Sequence, residues 1–144
     1  MIESDTIKLL RECDAGVKMG IDSIDDVLRF VQSSKMKNHL ADCKKEHEKL
    51  NREIQSLLEK YEDDGKAPSM IAKGMSKMKT NFKLGMDESD ATIADLMTDG
   101  CNMGVKSLNR YLNEYEAADE ASKDIAKRLI NLEERLAIDI RKYL

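Results

Sequence analysis

The sequence contains one proline, no tryptophan, and aromatic residues at only 4% of its positions. Sheet proteins are usually richer in aromatic residues and in turn signals, so this scarcity argues against a β fold. No apolar run approaches the roughly 18–20 residues of a membrane-spanning helix. Three cysteines without an N-terminal apolar leader indicate reduced thiols and a cytoplasmic protein rather than a disulfide framework.

Charged residues are abundant instead, at 36% of the chain beside 41% hydrophobic residues. This balance is typical of long amphipathic helices. The 144 residues suit a single domain, residues 1–144, that buries its own core. The net charge of −4 gives no indication of a nucleic-acid partner.

Apolar residues recur at helical spacing in four long stretches, which predicts an all-α fold. The predicted helices cover residues 6–31, 35–61, 91–116 and 119 to the C-terminus, and a shorter helix covers 69–86. Short connections join the first helix to the second and the third to the fourth. Each pair should therefore form an antiparallel hairpin, over about 5–62 and 90–144, with a crossover helix over about 67–86 between them.

The two hairpins repeat one another. GVKMGIDSIDDVL at 16–28 matches GCNMGVKSLNRYL at 100–112, and EHEKL at 46–50 lies over LEERL at 132–136. Two hairpins that each expose an apolar face would bury those faces on each other, in a four-helix bundle with an approximate two-fold axis. The crossover must then travel the length of the bundle, and 18 helical residues span about 27 Å.

The chain has a family likeness, which rests on the duplicated hairpins, the long crossover and the phrases CDAGVKMGIDSI, EHEKL and DGCNMGVKSL. It resembles the ferritin-like superfamily over its full length, and most of all the bacterial ferritin-like family catalogued as a domain of unknown function. The resemblance implies a four-helix bundle, in which ferritin-like proteins build a di-iron site from inward glutamates and Glu-x-x-His motifs. Here Lys44 precedes His47 by three residues and Leu136 follows Glu133 by three, so the motif is incomplete.

Four polar residues interrupt the apolar stripes at matched positions, Asp14 with Thr98 and His47 with Glu133. A buried polar group without a partner costs about 1–3 kcal/mol. We therefore expect an internal pair between His47 and Glu133, with Asp14 near one end of the bundle and partly hydrated. Counting from the hairpin turns places His47 level with Gly20, and Glu133 level with Gly104.

A small-ligand or metal site on His47 and Glu133 is the alternative to that internal pair. Cys43 precedes His47 by one helical turn, a spacing that can place a thiolate and an imidazole on one metal ion. Asp14 would complete a candidate metal set of Asp14, Cys43, His47 and Glu133. No cofactor is expected on the main interpretation, whereas the alternative would bind iron, manganese or zinc.

Four glycines interrupt the first and third helices, at Gly16, Gly20, Gly100 and Gly104. A glycine within a helix costs roughly 1 kcal/mol relative to alanine, so a compensating packing role is expected. We predict that these four positions form a close-contact seam between helices, level with His47 and Glu133.

The crossover has a composition of its own, with five lysines and no acidic residue between Lys66 and Met86. Methionine-rich faces adapt to irregular surfaces. The segment either packs on the bundle with its lysines in water or binds an acidic partner, a second subunit or an anionic surface. The candidate partner-binding residues are Met70, Lys73, Met75, Lys77, Met78 and Phe82.

These features predict a non-catalytic binding or structural protein that lacks the complete di-iron motif. We expect a homodimer, or a complex with a protein partner through the crossover, without nucleic acid and without a transmembrane segment. The alternative is a metal store or a metal-dependent oxidase that uses His47 and Glu133.

Overall fold

The computed structural model describes residues 4–68, 84–85 and 87–144. Within these residues the chain forms four α-helices and a final 3₁₀ turn, with no strand. The elements are α1, Ser4–Leu28; α2, Ser34–Lys60; α3, Asp90–Glu114; α4, Glu120–Ile140; and the 3₁₀ turn, Arg141–Tyr143. The predicted all-α class is confirmed, although α1 ends three residues earlier than expected.

The predicted crossover helix lies outside the described residues except for Leu84 and Gly85. Its candidate partner-binding residues, Met70, Lys73, Met75, Lys77, Met78 and Phe82, are also outside that part of the chain. In the described ranges, no helix is long and apolar enough to cross a membrane.

Side-chain caps define where three of the helices begin. The Ser33 hydroxyl accepts the Met36 N–H at 3.2 Å, and the Ser89 hydroxyl accepts the Thr92 N–H at 3.2 Å. Asp119 caps α4 in the same way, with its carboxylate 2.8 Å from the Ser122 nitrogen. Such caps satisfy N–H groups that have no partner inside the helix.

The helix pairing follows the predicted hairpins: α1 packs mainly on α2, and α3 mainly on α4. The two hairpins then meet through α2 with α4 and through α1 with both α3 and α4. Amphipathic helices of this kind are stable because each buries its apolar stripe against its neighbours.

Hydrogen bonds between the turns establish the order of the helix ends. Asp90, at the start of α3, accepts the N–H groups of Gln32 and Ser33 in the α1–α2 turn, at 2.8 and 2.9 Å. At the opposite end, Thr6 accepts the Asp119 N–H at 2.8 Å, which places the α3–α4 turn beside the start of α1. The chain therefore leaves α2 at one end of the bundle and begins α3 at the other, as the two-fold arrangement predicts.

The core consists of two apolar clusters, one in each half of the bundle. The first packs around Ile24, Met36, Leu40, Ile93, Leu136 and Ile140. The second packs around Leu9, Val17, Leu50, Ile54, Ile125 and Leu129. On α2, His47 lies between Cys43 of the first cluster and Leu50 of the second, so a polar layer separates the two halves.

Candidate functional site

The polar layer is centred on His47, whose side chain is fully buried. Its ring Nε2 lies 2.8 Å from Oε1 of Glu133 on α4, and its Nδ1 lies 2.8 Å from the carbonyl oxygen of Cys43. The predicted internal pair of His47 with Glu133 is confirmed. Because both ring nitrogens face acceptors, the arrangement suits an imidazolium that donates two hydrogen bonds.

The ionisation of His47 results from two opposing influences. Burial by itself lowers the pKa of His47, but the side-chain interactions with the Cys43 sulfur and the Glu133 carboxylate outweigh burial and raise that pKa to about 10. At neutral pH the layer therefore holds a positively charged histidine against the Glu133 carboxylate. Buried charges persist only when they are paired in this manner.

Two glycines lie against the pair, Gly20 of α1 against His47 and Gly104 of α3 against Glu133. A Cβ atom on Gly20 would lie 2.7 Å from Nε2 of His47, closer than real Cβ contacts allow. A Cβ atom on Gly104 would lie 3.5 Å from Oε2 of Glu133, an ordinary contact distance. The levels predicted by counting from the turns are therefore those found, and Gly20 leaves the space that the imidazole ring occupies.

Two cysteines flank the ion pair. The Cys43 sulfur lies 3.5 Å from Nδ1 of His47, and the Cys101 thiol is near enough to Glu133 for that carboxylate to influence its pKa. Burial, together with the Glu133 carboxylate, raises the pKa of Cys101, and burial raises the pKa of Cys13 to about 12. Both of those thiols stay protonated at neutral pH, which does not suit a nucleophilic role.

Asp14 belongs to a second polar cluster and not to the layer around His47. Its buried carboxylate accepts hydrogen bonds from Gln55 Nε2 at 2.7 Å and from the Lys66 N–H at 2.9 Å, and it pairs with Lys18 at 3.0 Å. The candidate metal set is thus corrected, because three partners, Gln55, Lys18 and the Lys66 N–H, hold this carboxylate in a different site. The expectation of a partly hydrated Asp14 is also wrong, since its residue exposure is 0%.

The segment after α2 closes over Asp14. Gly65 has a φ of +78°, and a Cβ atom there would collide with the Asp14 carboxylate. Arg11 and Glu12 of α1 form ion pairs with Asp63 and Lys66 of this segment. The role of Asp14 is therefore to anchor the exit of the first hairpin on α1.

The predicted close-contact seam is present at only part of its length. Gly20 and Gly104 face the ion pair, and a Cβ atom on Gly16 would make an ordinary 3.7 Å contact with Leu129. Gly100 is exposed, and a Cβ atom there would meet no described atom within 4 Å. Gly100 is thus corrected from seam to surface, because its side of α3 points away from the described helices.

Thr98, at the place in the second hairpin that matches Asp14, has no such cluster among the described residues. Its hydroxyl oxygen is buried and lacks a hydrogen-bond partner within the described part of the chain, as does that of Ser122. Among the described residues, no three His, Cys, Asp or Glu side chains are placed to hold a metal ion.

Sequence reasoning missed Cys101 as a neighbour of the ion pair, and it missed the anchoring of Asp14 by Gln55 and Lys66. The i, i+4 spacing of Cys101 and Val105 showed only that Cys101 faces inward. The contacts of Lys66 depend on a loop that folds back across 52 residues of sequence, for which no local pattern exists.

Comparison with known proteins assigns this chain to no family. No protein-family model matches the chain, and neither the curated proteins nor the solved structures yield a significant match.

Proposed function

We propose that this chain is a non-catalytic, ferritin-like bundle protein of the cytoplasm that carries an internal ion pair in place of a metal centre. One observation supports this most directly: both ring nitrogens of His47 are engaged inside the chain, by Glu133 and by the Cys43 carbonyl. A histidine must offer a neutral ring nitrogen to bind a metal ion. The raised pKa of His47 works against that state.

In this proposal the protein acts as a binding or structural module, through its surface rather than through chemistry in its core. The crossover stays the first candidate for contact with a protein partner on its composition of methionine and lysine. The ion pair contributes to a single packed arrangement of the two hairpins, because its two members come from different hairpins and satisfy each other.

Metal analysis tests the proposal. Untagged protein purified without chelator should contain iron, manganese and zinc at far below one ion per chain. Adding Fe²⁺, Mn²⁺ or Zn²⁺ should leave the melting temperature unchanged, because a ligand stabilises a protein only when it binds the folded state. His47→Gln is the control: a thermal shift in the wild type that this substitution removes would refute the proposal.

The alternative is a metal-binding protein, either a store or an oxidase, that uses His47 and Glu133. The position of the Cys43 sulfur favours it, because this atom lies 3.5 Å from Nδ1 of His47 and supplies a sulfur donor beside the pair. Metal uptake that is lost on Cys43→Ala and retained on Asp14→Asn would establish this alternative. Uptake that responds to neither substitution would place the metal elsewhere and leave the layer as an ion pair.

A further inference from the structure

One exposed face of α3 has an unusual order of charges. Between Asp95 and Arg110, six residues fall within an arc of about 100° when each residue advances by 100°, and all six are exposed. This face, called the α3 stripe below, consists of Asp95, Asp99, Asn102, Met103, Lys106 and Arg110.

The charges of the α3 stripe are arranged about one centre, with acidic residues before it and basic residues at the same distances after it. Its centre lies between Asn102 and Met103, and Asp99 and Lys106 stand at equal distances on either side of it. Asp95 and Arg110 are likewise equidistant from that centre. Reversing the direction of the helix therefore exchanges every acidic position with a basic one.

The charge order is unfavourable within the helix itself. Asp95 and Asp99 are one turn apart, as are Lys106 and Arg110, and like charges at this spacing repel each other. The helix dipole does not account for the order, because its influence is confined to the first and last turns. Asp99 and Lys106 lie well inside the 25-residue helix.

The middle of the stripe carries an exposed hydrophobic side chain, Met103. Met103 is 69% exposed, more than Ile138 or Leu144, the other exposed large hydrophobic residues of the described chain. Beside it, Gly100 has no described atom within 4 Å of a potential Cβ. A glycine at this point lets a second backbone approach closely.

We propose that the α3 stripe is the interface through which two copies of this chain associate, with the two α3 helices antiparallel. A two-fold axis through the centre of the stripe places Met103 near its own copy. It sets Asp95 opposite Arg110 of the second copy and Asp99 opposite Lys106 of the second copy. Two-fold interfaces require such a self-complementary patch.

The proposal needs only the signs of these charges. Asp95 and Asp99 also take part in interactions within the chain, and a carboxylate can accept more than one hydrogen bond. The inference is independent of the ion pair at His47, because the stripe lies on the opposite, exposed side of α3. A single helix pair belongs to the small interfaces, so we expect reversible association in the micromolar range.

Sedimentation equilibrium over a range of concentrations tests the proposal. The average mass should rise from the 16.4 kDa of one chain toward twice that value, and less so in high salt. Met103→Glu should raise the dissociation constant by at least about tenfold, because it places two like charges at the centre of the interface. Ile138→Glu is the matched control on α4, 55% exposed in the wild type, and should leave the dissociation constant unchanged.

A charge exchange gives the decisive result. The double variant Lys106→Glu with Arg110→Glu has an all-acidic stripe, and Asp95→Lys with Asp99→Lys has an all-basic one. Each variant alone should be monomeric, and an equimolar mixture should form a heterodimer. Circular dichroism checks that both variants remain helical.

Three outcomes would overturn the proposal. The wild type could remain a 16.4 kDa monomer at every concentration. Met103→Glu and Ile138→Glu could weaken association equally, which would place the interface elsewhere. The mixed charge variants, both folded, could show no mass above that of their separate monomers.

Discussion

The two glycine-bearing phrases of this chain are alike in sequence and different in their surroundings. In α1, Gly20 lies against the imidazole of His47, at a distance that leaves no room for a Cβ atom. In α3, Gly104 faces the carboxylate of Glu133 at ordinary contact distance, and Gly100 faces no described atom. The two phrases therefore resemble each other in sequence without sharing the same packing.

The difference between the hairpins originates in what each one contributes to the polar layer. The first supplies a ring, His47, and the second a slender carboxylate, Glu133, at the corresponding position. The ring needs a glycine opposite it, whereas the carboxylate tolerates a larger neighbour. Three experiments separate the roles of the two hairpins.

The largest effect is expected from Glu133→Ala, which removes the carboxylate that the second hairpin contributes to the polar layer. Breaking one partner of a buried ion pair costs about 3–5 kcal/mol, and the partial exposure of Glu133 reduces our expectation to about 3 kcal/mol. Urea unfolding measures the loss of stability. Glu134→Ala, at the exposed neighbouring position, should change the free energy of unfolding by less than about 0.5 kcal/mol. Equal effects of the two substitutions would contradict a stabilising role for the pair.

The pH dependence of stability should report the histidine of the first hairpin. The folded pKa of His47, about 10, lies above the unfolded value of about 6.5. Its stabilising contribution is therefore complete below pH 6.5 and is lost as the pH rises toward 10. The free energy of unfolding should fall by about 2 kcal/mol between pH 6.5 and 8.5 on this account.

Urea titrations at several pH values measure that fall in the wild type and in His47→Gln. The variant keeps the other titrating groups, so the difference between the two curves isolates His47. Parallel curves would show that His47 does not carry its charge in the folded state.

The smallest effects, of opposite sign, are expected from alanine at two of the repeated glycines. Gly20→Ala should destabilise the protein by about 1 kcal/mol, since overpacking against His47 outweighs the gain in helix propensity. Gly100→Ala should stabilise it by about 0.5–1 kcal/mol, because the new methyl group enters open space. Thermal or urea unfolding of the two variants in dilute solution makes the comparison. A gain in both would mean that the ring of His47 moves aside freely.

Several features were predictable because they depend on local patterns. The caps at Ser33 and Asp119 follow from side chains that can accept a free N–H at a helix start. The pairing of His47 with Glu133 followed from their matched places in the two hairpins and from the cost of leaving a buried polar group without a partner. The levels of Gly20 and Gly104 followed from counting residues outward from each hairpin turn, since helices advance by a constant rise. These predictions needed only local patterns and regular helix geometry.

Other features depended on where the chain folds back, and local patterns could not show them. Asp14 was placed near a metal set because it shares a stripe with the core, yet Gln55 and the Lys66 backbone hold it in a separate cluster. The positive φ of Gly65 permits this closure. Because any glycine can adopt a positive φ, the sequence does not show which glycine does so.

The sequence by itself determined the four amphipathic helices, the caps of three of them, the pairing of the helices in two hairpins and the level at which polar residues meet in the core. Spacing and capping carry that information because they act within a few residues along the chain. Tertiary structure alone decided which glycine is required, which residues hold Asp14, and which face of α3 stays open. These depend on distances between residues far apart in sequence, such as the 52 positions that separate Asp14 from Lys66.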